Sequence, residues 1–266
     1  MNLTKGDVLA DKYEIFSLLA QEEAYCHYIA ICDKKKFLLK AYDLSKTPPN
    51  FYSEDTIPWE IENIKSLQSS FIPQIIDHGE YSDNAQKYYY IAYSLISGEL
   101  LSEKLNREGF LGFYQALPII NQLLDIVNYL HSQNPPLIHN NINPNTIWLD
   151  YSTGTECVIL DGFQYSRNMK DSRKSINPID LNMNYIAPEL FNRIFLPQSD
   201  IFSVGAILYK MICGIPPYYI EYNDARQFHA VLEKKNDLWE NKLDLNIVTG
   251  ETLDENQQYV INKALE

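Results

Sequence analysis

Residues 137–150 read LIHNNINPNTIWLD: an apolar strand ending in His139, a run of amides around Pro144, then a second apolar strand. Short apolar runs bounded by Asn and Pro predict a strand–loop–strand unit. Asn140, Asn141, Asn143 and Asn145 give that loop groups that donate and accept hydrogen bonds but carry no charge. Such a loop is either a freely hydrated turn or a set of side chains that satisfy one another.

On the amino-terminal side, residues 12–19 (KYEIFSLL), 24–32 (AYCHYIAIC) and 35–42 (KKFLLKAY) are rich in aromatic and branched residues and predict a small antiparallel sheet. SKTPPN breaks the pattern, and from Pro58 the spacing of Ile57, Ile61, Ile64 and Leu67 predicts a helix over PWEIENIKSL. IPQIIDHGEY and KYYYIAYSLI read as two further strands, and ISGEL as a hinge. Beyond it the pattern changes. ALPIINQLLDIVNYLHSQ (116–133) is a long amphipathic helix, and DIFSVGAILYKMICG (200–214) is apolar on all sides and so buried. Five strands with one helix precede a larger, mostly helical part, and a cleft between two such lobes is where ligands commonly bind. Neither internal repeats nor low-complexity segments interrupt this order.

With 266 residues, 45% apolar and 21% charged, the chain has the composition of a globular domain. A net charge of −13 argues against a nucleic-acid or anionic-membrane surface. No apolar run reaches a membrane span, and the first residues lack a signal-peptide core, so a cytoplasmic chain is expected. Cys26, Cys32, Cys157 and Cys213 are scattered and read as buried thiols. The five histidines form no metal-binding cluster.

LIHNNINPNTIWLD, then VILDGF, NYIAPEL and QSDIFSVGAILYKMICGIPPY, resemble the protein-kinase family in content and order, across almost the entire chain. Residues 139–146 fall in register with the family's H-R-D-x-K-P-x-N loop. FLLK resembles the strand carrying the phosphate-pairing lysine, which nominates Lys40, and WEIENIKSL resembles the helix that carries its partner, Glu60. LDGF resembles D-F-G with its last two residues exchanged, so Asp161 keeps the metal-binding place. Ala187, Pro188 and Glu189 match A-P-E, and Asp200 and Gly205 match the central buried helix. The resemblance implies an α+β, bilobal protein-kinase-like fold: a small antiparallel-sheet N-lobe with one helix (1–95) and a larger, mainly helical C-lobe (96–266). It also implies a family arginine, paired with Glu189, in a late helix. None follows Arg226, so the sequence reads as cut before that last helix, within a larger parent protein.

Phosphoryl transfer in this family needs positioned nucleotide phosphates, metal charge and an oriented carboxylate. Asn141 stands at the place of the catalytic aspartate and cannot take a proton near neutral pH. Asn143 stands at the place of a lysine that steadies the phosphoryl group, and Thr146 at that of a metal-holding asparagine. No catalytic residue is therefore expected at these degenerate positions. Ala20, Glu22 and Tyr25 occupy the three places of the phosphate-covering glycines, unless AQEEAY is only a solvated hairpin turn.

Asn182, at the place of a bridging threonine, joins Asn141 and Asn143 in an expected neutral network. Asn140 replaces the arginine that receives an activation-loop phosphate, which argues against switching through Ser172 or Ser175. His139 reads as a core histidine and Asp200 as a buried acceptor for loop amides.

Lys40, Glu60, Asp161, Ala92 and Leu95 form the candidate nucleotide-binding set, with Asp161 able to hold one weakly bound magnesium ion. The plainer alternatives are a structural ion pair at Lys40–Glu60 and a turn aspartate at Asp161. The preferred reading is a kinase-like domain without phosphotransfer, a binding or regulatory module that requires no cofactor and serves a protein partner or other domains of its parent chain. Its alternatives are a weakly active or unconventional ATP-dependent kinase and an ATP sensor without turnover. The acidic stretch 221–240 is either a docking surface or a solvated helix face, and YYYIAY and PPYYIEY either an interface or core.

Overall fold

A computed structural model describes residues 3–21, 24–47, 51–53, 57–83, 86–169, 181–217 and 252–265. Glu22, Ser172, Ser175, Arg226 and the acidic stretch 221–240 lie outside the described residues. The chain divides into two compact units, Met1–Ser97 and Gly98–Glu266.

Among the described residues, the first unit is a six-stranded antiparallel sheet with one short α-helix. In chain order its elements are β1 (Val8–Leu9), β2 (Tyr13–Gln21), β3 (Tyr25–Cys32), β4 (Lys35–Asp43), α1 (Trp59–Ile64), β5 (Ile75–Asp83) and β6 (Gln86–Ser94), and the sheet order is β1-β2-β3-β4-β6-β5. Because successive strand residues point to opposite faces, the register sorts the side chains. Leu39 lies opposite Ala92, and both join Tyr13, Ile15, Tyr28 and Ala41 in one apolar cluster. Lys40 lies opposite His27 on one side and Ile91 on the other, and therefore on the other face. Helix α1 stops at Ile64 instead of running to Leu67, because Leu67 N turns back to the Ile64 carbonyl in a tighter turn.

In the second unit, β7 (Gly98–Leu100) leads into α2 (Leu101–Glu108) and α3 (Phe113–His131). The stretch expected as a hinge is thus partly a strand. Gly98–Leu100 pairs with Asp150–Trp148, and a Cβ at Gly98 would meet the Leu149 carbonyl oxygen at 1.7 Å, a contact only glycine permits. Helix α3 begins three residues earlier than the apolar spacing indicates, because the Gln115 side chain accepts from Gly112 N at its start. It also carries Pro118 internally. The Tyr114 carbonyl, which loses its helical partner there, belongs to a residue 77% exposed, where water can serve instead.

Strands β8 (Leu137–Ile138) and β9 (Ile147–Asp150) bracket the amide-rich loop, followed by β10 (Cys157–Leu160) and β11 (Arg167–Asn168). β9 lies between β7 and β10, and β11 pairs with β8. Helix α4 (Pro188–Phe191) precedes the almost wholly buried α5 (Pro197–Cys213), which ends on left-handed Gly214. Helix α6 (Glu255–Ala264) packs closely on α5, since a Cβ on Gly205 would come within 2.7 Å of the Ala264 Cβ. Glu189 accepts a hydrogen bond from Ser199 Oγ at 2.5 Å, a partner that the A-P-E resemblance does not suggest. Cys26, Cys32 and Cys213 are buried thiols and Cys157 is half-buried.

Candidate functional site

The loop between β8 and β9 is held from below by Asp200 on α5. This fully buried carboxylate accepts from His139 N at 2.8 Å and Asn140 N at 2.9 Å, and from His131 Nε2 at 2.8 Å. Three donors on one buried carboxylate compensate for its lost hydration. Asn140 has φ +62°, a conformation asparagine tolerates, and its Nδ2 donates to the Ile138 and Tyr165 carbonyls. His139 is fully buried and its role is positional: Nε2 donates to the Asp161 carbonyl, Nδ1 accepts from Asn141 N, and its ring packs edge-on against Phe163.

The amides close on themselves. Asn143 Nδ2 donates to the Asn141 carbonyl at 3.0 Å and to Asn141 Oδ1 at 3.1 Å, while Asn143 Oδ1 accepts from Asn145 N. Thr146 Oγ1 accepts from Asn143 N, and its one hydrogen is shared between the Asn141 and Asn143 backbone carbonyls, each 3.0 Å away. Asn141, Asn143 and Thr146 are all buried. Asn182 is a correction to the three-asparagine network: its Oδ1 accepts from Asn184 N, a local turn. Thr146, through its hydroxyl, is the third member instead. An Asn–x–Asn–x–x–Thr spacing around a proline is the signal that could have identified it.

Asp161 is buried; its amide donates to the Thr146 carbonyl and its Oδ1 accepts from Gly162 N. The exchanged order of Gly162 and Phe163 has a steric cause. Gly162 has φ +90°, and a Cβ there would fall 2.5 Å from Thr146 Cγ2 and 3.3 Å from Asn141 Nδ2. A phenylalanine cannot stand at that place, so the ring moves one residue on and reaches His139 from position 163.

In the first unit, Lys40 Nζ donates to Glu60 Oε1 at 2.9 Å and Oε2 at 2.8 Å, and the Tyr42 hydroxyl donates to the same Oε2. Lys40 and Glu60 are both fully buried. The ammonium also lies 4.6 Å from the Tyr25 ring centroid and 5.2 Å from that of Tyr42. Burial, and then the Glu60 carboxylate, hold the Tyr42 phenol well above its usual range, so it stays a donor. Ala92 does not join this group, because its side chain faces the opposite apolar cluster. Leu95 lies beyond the end of β6 and is 37% exposed. Tyr25, Tyr42 and Tyr93 share the Lys40 face. The sequence marks Tyr25 by its bulk at a glycine place and Tyr93 only as part of YYYIAY; neither signal places them beside Lys40.

Residues 26–266 match the protein kinase domain family, and the chain belongs to it. Among its curated relatives, calcium/calmodulin-dependent protein kinase type 1 of Macrobrachium nipponense is 30% identical over 182 residues, covering 68% of this chain and 50% of that protein. Calcium-dependent protein kinase 5 of Plasmodium falciparum is 26% identical over 223 residues, 84% of this chain and 38% of its own length. Calcium-dependent protein kinase 24 of Arabidopsis thaliana is 26% identical over 231 residues, 85% and 38%. The chain spans half or less of these relatives. No helix among the described residues is long and apolar enough to cross a membrane.

ATP and magnesium are the ligands such a family implies. The Lys40 ammonium is enclosed by Glu60 and aromatic rings, and the Thr146 hydroxyl is engaged within its own loop. Among the described residues no group of three His, Cys, Asp or Glu side chains could hold a metal ion.

Two outcomes are expected from this geometry. Gly162→Ala should destabilise the protein by about 2 kcal/mol or more through left-handed strain and the Thr146 contact. In a Thr146→Ser background, which keeps the hydroxyl and removes Cγ2, urea denaturation should recover about 1 kcal/mol of that loss; strict additivity would refute the contact. The second concerns His27, whose Nε2 is buried and whose pKa is lowered to about 3, first by burial and then by Lys40. Below its ordinary pKa the unfolded chain takes up a proton that the folded chain refuses, so stability is lost as pH falls from the ordinary value toward 3. Between pH ~7 and ~5.5 the wild type should lose about 1 kcal/mol more than His27→Gln. Parallel profiles would contradict this.

Proposed function

We propose that this protein-kinase domain does not transfer phosphate and acts as a binding or regulatory module, for a protein partner or for other domains of a larger chain. The observation that carries the reading is the closed hydrogen bonding of Asn141, Asn143 and Thr146. A base must be free to accept a proton, and the neutral Asn141 accepts from Asn143 instead. Losing general-base help alone lowers rates by about 10² to 10⁴. The scaffold bonds of Asp200 and His139 are meanwhile kept, which supports a fold selected for its surface.

A second reading, a weak or unconventional ATP-dependent phosphotransferase, is favoured by the intact Lys40–Glu60 pair and by relatives whose names are those of kinases. A third, a sensor that binds ATP without turnover, draws on the same pair. Incubation of the purified chain with radiolabelled ATP, magnesium and a generic protein substrate separates them. The module reading expects no incorporation above that of an Asp161→Asn control. Incorporation that Asp161→Asn abolishes would overturn it.

A further inference from the structure

We propose that the exposed Phe16 ring, with Lys5 and Lys36 upon it, is a docking surface of the first unit for an extended acidic peptide of another protein. It uses none of the residues behind the module reading, so the two stand or fall separately. The ladder between β2 and β3 skips a residue between Ile15 and Ser17, and Phe16 is the extra one. Such a bulge re-aims its side chain. The ring is 40% exposed, and two ammonium groups lie over it, Lys5 Nζ at 5.2 Å and Lys36 Nζ at 4.6 Å from its centroid. An exposed ring by itself is ordinary. One gripped by two cations on a chain of net charge −13 calls for a reason.

Separate pieces of backbone hold the two lysines there. Lys5 sits in a turn closed by Thr4, whose amide and hydroxyl donate to Asp7 Oδ2 at 2.7 and 3.0 Å, and Gly6 N ties that turn to the Ile15 carbonyl. Lys36 follows a two-residue hairpin turn at Asp33 and Lys34, both with positive φ, and lies across from Ile31. Lys34 and Lys35 are exposed beside it. The acidic groups of the region are Asp7, which Thr4 engages, Asp33 in the turn, and Glu14, across Ile31 from Lys36. Lysines thus outnumber carboxylates here, in a chain where Asp and Glu exceed Lys and Arg by 35 to 22. Charges beyond about 8 Å are screened at physiological salt, so a partner meets this local excess rather than the net charge.

Lying on the ring, the stems of Lys5 and Lys36 are ordered before a partner arrives, and contact with a ring face leaves their N–H groups able to donate. Side chains at alternate positions of an extended segment project from one face about 7 Å apart. An aromatic side chain placed on Phe16 therefore brings acids two residues before and after it within reach of the ammonium groups.

The test follows the fluorescence anisotropy of a labelled heptapeptide, Glu-Glu-Ser-Phe-Ser-Glu-Glu, titrated with the full chain. It should bind wild type at least about tenfold more tightly than the same peptide with lysines for its glutamates or with serine for its phenylalanine, and should weaken as salt rises. Lys5→Glu/Lys36→Glu and, separately, Phe16→Thr should each lower the affinity at least about tenfold. Lys65→Glu/Lys87→Glu, at exposed positions elsewhere on the unit and with the same net charge as the first double variant, should bind as wild type. No binding to wild type, equal binding of the three peptides, or equal loss in both double variants would overturn the proposal. So would tight binding of phosphatidylserine vesicles in place of the peptide, or a sedimenting dimer that Phe16→Thr dissolves, since either gives the surface a different occupant.

Discussion

The carboxylate of Asp200 fixes the rest of the loop. A fully buried negative charge is costly to dehydrate, and here it is compensated by donors from three different places: the His139 and Asn140 amides and the His131 ring. Those bonds set where residues 139–146 begin, and with them the direction in which each following side chain points. His139, so placed, ties the loop to the Asp161 carbonyl and receives the Phe163 ring. None of these contacts requires a reacting group. A kinase loop can therefore keep its backbone while the positions that would face a substrate change.

Those positions have turned toward one another. In a loop built for phosphate transfer, the side chains at 141, 143 and 146 would present charge and metal-binding atoms outward. Here the Asn143 amide donates to the Asn141 side chain and backbone, and the Thr146 hydroxyl bonds to the backbone of the same two residues, all within six positions. Gly162 belongs to the same arrangement, because the Thr146 methyl and the Asn141 amide occupy the space that any larger residue would need. In the first unit, Lys40 shows the same inward turn by other means: a carboxylate, a phenol and aromatic faces surround a cation that would otherwise be drawn to anions.

Much of this was legible in the residue order. The pairing of Lys40 with Glu60 and the scaffold role of Asp200 both follow from motifs read in sequence. What was not legible depended on parity and partners. Ala92 and Ile91 are adjacent, yet only one shares the Lys40 face, and the strand register alone decides which. Tyr25 was visible as a bulky residue at a glycine place. That its ring covers Lys40 follows from pairing with Tyr42, which is non-local. Asn182 matched its neighbours in chemistry, but its own turn claims it. Helix α1 ended early for a reason that periodicity does not register, a single tighter turn after Ile64.

The claim at the centre of this account is that the Asn143 side chain is held by Asn141 in a buried, neutral loop. Asn143→Asp tests it most directly, because the new carboxylate would face the Asn141 carbonyl and Oδ1 where an NH₂ group now donates. The stability of the variant, measured by urea denaturation as a function of pH, should fall by about 2 kcal/mol or more at neutral pH. Its carboxyl pKa in the folded state should be raised, so the loss should shrink as pH falls through that raised value and the group becomes a donor. A variant as stable as wild type at neutral pH, with no recovery in acid, would mean that the two side chains are hydrated separately and that the loop is not closed.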